Sequence, residues 1–213
     1  MGVSDTFSLL AELPAEHRLP YLEAALREPY AELQSAAFEA LADPNGINRP
    51  DLIVQHYSDL TPEVRQMVGS RAALFNEAAR EELHSPREWS RRSAYLVLAA
   101  LRPREAASIL VRGLTDVSPV VRETVADALE VMANRYYYHL VAARMHGDVE
   151  SRRFVEGNRG VMLESLGPLL RAFPLHAKGV FLDLVIESGD SGYPLVTELL
   201  LTQTDPSTYA AFI

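Results

Sequence analysis

The chain has 213 residues, 48% of them hydrophobic, with 20 basic and 29 acidic side chains for a net charge of −9. That is enough apolar material for one substantial core or one short repeat array, and it excludes a disordered chain. No cysteine is present, so disulfides, thiolate metal sites and a cysteine nucleophile are excluded too.

The charge is uneven. Residues 1–50 hold eight acids against three arginines, a net −5, and the remainder shares −4. An acidic N-terminal stretch of this kind repels phosphate and argues against nucleic acid as a partner. Lys178 is the only lysine; the arginine bias reads as GC-rich codon usage rather than a set of planar forks for phosphate or carboxylate. Met1–Leu13 has no basic stretch ahead of an apolar one, unlike a secretory signal. The longest apolar runs, Ala94–Leu101 and Val180–Ile186 (broken by Asp183), are too short to cross a bilayer. The expectation is a soluble cytoplasmic protein with no membrane association.

Period-two alternation never persists, whereas helical patterning runs almost throughout. In chain order, residues 1–17 read as an N-terminal cap. Helix 18–27 pairs with 30–42, followed by the loop Asp43–Asn48, dense in turn formers. Next, 49–57 pairs with 62–75, 77–83 with 87–101, and 104–114 with 119–133. Thr61-Pro62, Ser85-Pro86 and Ser118-Pro119 are helix starts, the hydroxyl capping and proline sitting where its missing N–H costs nothing. Arg102-Pro103 marks a further break. Past 133, helices are expected over 136–146, 150–156, 160–173, 175–187 and 193–202, with a turn at Gly157–Gly160 and breaks at Phe173-Pro174 and Ser188–Pro194. The last ten residues read as a C-terminal cap, and 1–213 as a single domain.

A repeat underlies this order. Glu28–Leu41, Asp59–Ala72, Ser85–Leu98 and Asp116–Leu129 overlay, and Leu33, Val64, Ser90 and Val121 follow one another at steps of 31, 26 and 31 residues. Leu33, Ala36, Ala37, Ala40 and Leu41 form one helical stripe; Ser90, Ala94, Val97, Leu98 and Leu101 form another. Val121, Val125, Ala128, Leu129 and Met132 make a third, and Val64, Met67, Val68, Ala72 and Phe75 a fourth. Arg71 departs from the last, through either a rotated helix or an exposed side chain. Units this short cannot bury their own apolar face, so they stack as an all-α solenoid.

On these residues the chain resembles the HEAT family of helical repeats, in its compact bacterial form. The family pattern sets a turn Asp six positions before a helix Arg, as in Asp59 with Arg65 and Asp116 with Arg122. Glu28 with Gln34 and Ser85 with Arg91 keep the offset and lose one charge. The resemblance implies a right-handed superhelix of antiparallel helix pairs, with clear repeats over 18–133 and degenerate ones over 134–213. It also implies a structural ladder in which Asp59 and Asp116 satisfy helix N-termini and Arg65 and Arg122 neutralise carboxylates.

No nucleophile elbow, phosphate loop or dinucleotide fingerprint occurs. The histidines, at 17, 56, 84, 139, 146 and 176, show no i, i+4 pair; His139 and His146 with Asp148 or Glu150 are read as surface or packed residues rather than metal ligands. No cofactor or metal is expected. Consecutive Tyr136, Tyr137 and Tyr138 point about 100° apart on a helix, so at least one faces solvent or a groove. Trp89 stands one place before a core step, either under the turn or as an aromatic anchor.

The favoured function is a non-catalytic scaffold binding a protein or peptide through a concave face that offers Gln34, Arg65, Trp89, Arg91, Arg92, Arg122, Arg135 and Tyr137. The alternatives are an enzyme similar to HEAT-like alkyl-DNA glycosylases and a bilin-lyase-like chaperone. Partner identity and oligomeric state are not legible in the residues.

Overall fold

The computed structural model describes residue 7 and residues 9–101, 103–171, 179–187 and 193–202. Every regular element among them is helical. Helices α1 (Ala15–Arg27), α2 (Ala31–Ala42) and α3 (Pro50–Gln55) lead into a 3-10 turn, Tyr57–Asp59. Then come α4 (Pro62–Ser70), α5 (Ala72–Glu82) and α6 (Glu88–Leu101). The rest are α7 (Pro103–Gly113), α8 (Pro119–Met145), α9 (Val149–Arg171), α10 (Gly179–Glu187) and α11 (Tyr193–Thr202). The chain is all-α, as its periodicity requires. Contacts gather into two compact units, 1–101 and 102–213.

In the first unit α1 packs on α2, and α2 on α3 and α4; α3 meets α5 and α6, and α5 meets α6. Leu22, Leu26, Phe38, Leu41, Ile53, Phe75 and Leu98 are fully buried, with the Phe38 and Phe75 rings 5.5 Å apart. Each such side chain contributes about 1.5–3 kcal/mol by leaving water. The loop Asp43–Asn48 forms as expected: the Asp43 carboxylate accepts from Asn45 N–H at 2.9 Å, and Asn48 adopts a left-handed φ of 48°.

The expected helix 62–75 is two helices. It breaks at Arg71 (φ −115°, ψ 37°), so α4 lies against α2 while α3 lies against α5. A straight helix would drive the Arg71 guanidinium into the apolar stripe. The break instead lays it over the Phe38 ring at 5.1 Å, bonded to Glu39 at 2.6 Å, and lets Phe75 enter the core. Neither a rotated helix nor a simply exposed arginine describes it.

The stripe on α2 is also turned by one place. Gln34, Ala37, Phe38 and Leu41 are buried, while Leu33, Ala36 and Ala40 are only half-buried. On α6 the expected Ser90, Ala94, Val97 and Leu98 do lie inside.

In the second unit α8 packs on α7, α9 and α10, and α9 on α7, α10 and α11. Val121, Val125 and Leu129 line the buried side of α8 as expected, joined by Ala126, Ala133 and Tyr136. Two expected breaks are absent. Helix α8 runs unbroken across 133–136, and α9 runs through Gly157–Gly160, expected as a turn. Asn158 is accommodated there by turning its amide back along the helix, Nδ2 to the Phe154 carbonyl at 2.6 Å. The real stop follows α8, where Gly147 takes φ 64° and Asp148 begins α9.

The breaks at Arg102, at Phe173-Pro174 and over 188–192, together with His176, the first residues of the N-terminal cap and the last ten residues, lie outside the described residues.

Candidate functional site

The helix starts show what the six-residue spacing does. Gln34, 0% exposed, places Nε2 2.9 Å from each of the Leu26, Glu28 and Asp59 carbonyl oxygens. Its Oε1 accepts from the Thr61 N–H at 2.7 Å. Arg91 Nη1 donates to the Ser85 carbonyl at 2.9 Å, and Arg122 Nη1 to that of Asp116 at 2.7 Å. Arg65 Nη2 reaches one residue further, to the Ser58 carbonyl at 2.9 Å, with its guanidinium over the Tyr57 ring.

These side chains thus satisfy backbone carbonyls in the turns, which have no helical partner of their own. Arg65 and Arg122, expected to neutralise a carboxylate of their own or the next repeat, make no ion pair among the described residues. Asp59 instead approaches His56, and Asp116 Oδ1 accepts from the Ser118 N–H at 2.8 Å. A fixed donor reaching a fixed carbonyl depends only on local backbone geometry, which is why glutamine serves at 34 as arginine does at 91 and 122. Ser118 caps α8 through Val121 N–H at 3.3 Å. Thr61 does not cap α4: its hydroxyl is buried and has no partner.

Gln34 therefore leaves the expected partner-binding set, because a side chain with no exposure offers nothing to a partner. Arg91 and Arg122 are half-buried and committed to carbonyls, whereas Arg65 and Arg92 are exposed. Arg122, Arg135 and Tyr137 belong to the second unit. Of the three tyrosines, Tyr136 is buried, Tyr137 half-buried and Tyr138 69% exposed, so at least one faces water, as expected. The Arg135 guanidinium lies over the Phe154 ring at 5.2 Å.

The most organised exposed feature centres on Trp89, 41% exposed at the start of α6. Its ring stacks on His56 at 5.4 Å and 25°, and the Arg87 guanidinium sits 5.7 Å from its centroid. His56 is only 4% exposed and lies between two carboxylates, Nε2 3.2 Å from Glu23 and Nδ1 3.4 Å from Asp59. Glu23 also holds Arg27 at 2.6 Å. One imidazole thus joins α1, the 3-10 turn and α6 beneath the indole, which rests on it with its other side presented outward. The spacing of His56 and Asp59 was visible in the sequence. Glu23 and Trp89, each 33 residues away, carry no local pattern that links them to His56.

His139 is occupied within the second unit: Nδ1 is 2.9 Å from Ser151 Oγ and the ring packs on Phe154 at 4.2 Å. Ser151 is buried and its N–H donates to Asp148, so this chain of groups ties α8 to α9. Hydrogen bonding to Ser151, side chain first and then backbone, holds the Asp148 carboxyl below its ordinary value. No group of three or more metal-ligating side chains assembles among the described residues, and none of their helices is long and apolar enough to cross a membrane.

No protein-family model, curated protein or solved structure matches this chain.

Proposed function

We propose that the chain is a HEAT-like α-solenoid acting in the cytoplasm as a non-catalytic protein-binding module, with Trp89 and Arg87 as its anchor. The reading rests on one observation: the only tryptophan of the chain is held half-exposed on a buried, doubly tethered histidine. An aromatic ring that is already immobile loses little freedom on binding, and Trp and Arg are the residues most often dominant at interfaces. Arg87 is exposed and makes no ion pair among the described residues, so the matching partner segment presents an apolar side chain beside a carboxylate. Arg65 and Arg92 extend the set of exposed cations within the first unit.

The test is recovery of partners from native cells by the intact chain, the Trp89→Ala variant and the Arg87→Glu variant. Truncating an anchor of this type costs about 2 kcal/mol or more, so at least a roughly tenfold loss of recovered partner is expected, with unchanged helical circular dichroism. Equal recovery by all three proteins contradicts the reading. Salt-sensitive retention of duplex DNA, with no protein partner, would favour a nucleic-acid enzyme instead.

A further inference from the structure

We propose that a small cavity in the second unit binds a compact monocarboxylate, an acid with one carboxylate and an apolar body. The cavity encloses about 120 Å³ between α8, α9 and α10. Apolar cavities of about 150 Å³ accept benzene, so this somewhat smaller space suits a short branched aliphatic body, or part of one ring, with its carboxylate at the mouth. Leu140, Val155, Met162, Leu163 and Leu184 supply the apolar lining. Tyr136, Arg144, Arg159 and Glu187 supply the polar part.

The charges select the ligand. Arg144 is paired with Glu187 through the carboxylate and also donates to the Glu187 carbonyl at 3.2 Å. Arg159, exposed on α9, makes no ion pair or hydrogen bond among the described residues. The lining therefore has one positive charge in excess, which one carboxylate would balance and a dianion would overfill. Tyr136 is the second pointer. It is only 8% exposed and lines the cavity beside Arg144 and Arg159. Burial pushes the Tyr136 hydroxyl up, and the nearby charges of Arg159 and Arg144 oppose that rise, so both guanidiniums act on the same oxygen. A phenol, an unpaired cation and a lining that is part polar and part apolar together fit a carboxylate bonded by Tyr136 and Arg159, its body against Leu163 and Met162. An inorganic anion would leave the apolar lining unused, and a neutral molecule would leave Arg159 unused.

The experiment is calorimetric titration of the full chain with 3-methylbutanoate, benzoate, benzamide and inorganic phosphate. Expected is saturable binding of at least one of the two acids, with benzamide and phosphate at least about tenfold weaker. Arg159→Gln is expected to weaken the acid about tenfold or more and Tyr136→Phe about threefold or more. Leu163→Trp, which fills the cavity, is expected to abolish binding, and unchanged helical circular dichroism identifies variants that remain folded. The proposal is overturned if neither acid saturates, if benzamide or phosphate binds as well as the acids, or if folded Arg159→Gln or Leu163→Trp binds like the parent.

Discussion

Gln34 and Thr61 lie 27 residues apart in the chain and share one hydrogen bond, and the two make opposite predictions. Removing the amide with Gln34→Leu strands the Thr61 N–H and deprives three carbonyls of their donor. Unsatisfied buried groups cost about 1–3 kcal/mol each, so a loss of about 3 kcal/mol is expected in urea unfolding; a loss under about 1 kcal/mol contradicts the role. Thr61→Val keeps the shape and removes a buried hydroxyl with no partner. It is expected to be neutral or stabilising by up to about 1 kcal/mol, whereas a working cap would lose about 1 kcal/mol. Sequence reading placed Gln34 on an open face because polar residues are ordinarily exposed. Its true environment is made of three carbonyls from two separate segments, the end of α1 and the 3-10 turn, which no local pattern displays.

At the scale of single helices, α9 allows two tests. Gly160 lies within a regular helix, has no positive φ, and a Cβ built there meets nothing within 4 Å. Gly160→Ala is therefore expected to raise stability by about 0.5–1 kcal/mol; a destabilised variant would mean the segment is a turn after all. Asp148 caps the same helix, and its carboxyl titrates below its ordinary value because the charged form accepts from Ser151. The cap's contribution is then complete above the unfolded value, near about 4, and is lost as pH falls through the lower folded value. The stability gap between the parent and Asp148→Ala should be constant near neutrality and close as the solution is acidified below about pH 4. A gap that persists undiminished to about pH 3 counts against the assignment.

Helices whose ends carry their own chemistry were legible in the sequence. The Pro starts at 62 and 119 and the loop at Asp43–Asn48 stand where turn residues put them. The errors came where distant residues decide. Arg71 ends a helix because Phe38 and Glu39 receive its guanidinium, and Gly157–Gly160 stays helical because the helix is packed along α8. Turn propensity is a weak prior once a segment has a neighbour to pack against.

For the whole molecule, an acidic chain of net −9 concentrates its excess acid in residues 1–50, and Glu23 from that stretch is spent inside the fold on His56 and Arg27. The cationic and aromatic surface at Arg87 and Trp89 is set against that acidic background, so in the proposed role local complementarity, not net charge, would select the partner. Trp89 was legible as a candidate from its rarity and its place at a helix start. The His56 platform that makes it rigid was not, since stacking across 33 residues leaves no trace in spacing. The most direct test places a photo-crosslinking phenylalanine analogue at position 89 in the native cell, with the exposed surface position Tyr21 as control. The proposed role predicts one discrete protein adduct from position 89 that is absent from position 21. No protein adduct from position 89, or the same adducts from both positions, would contradict it.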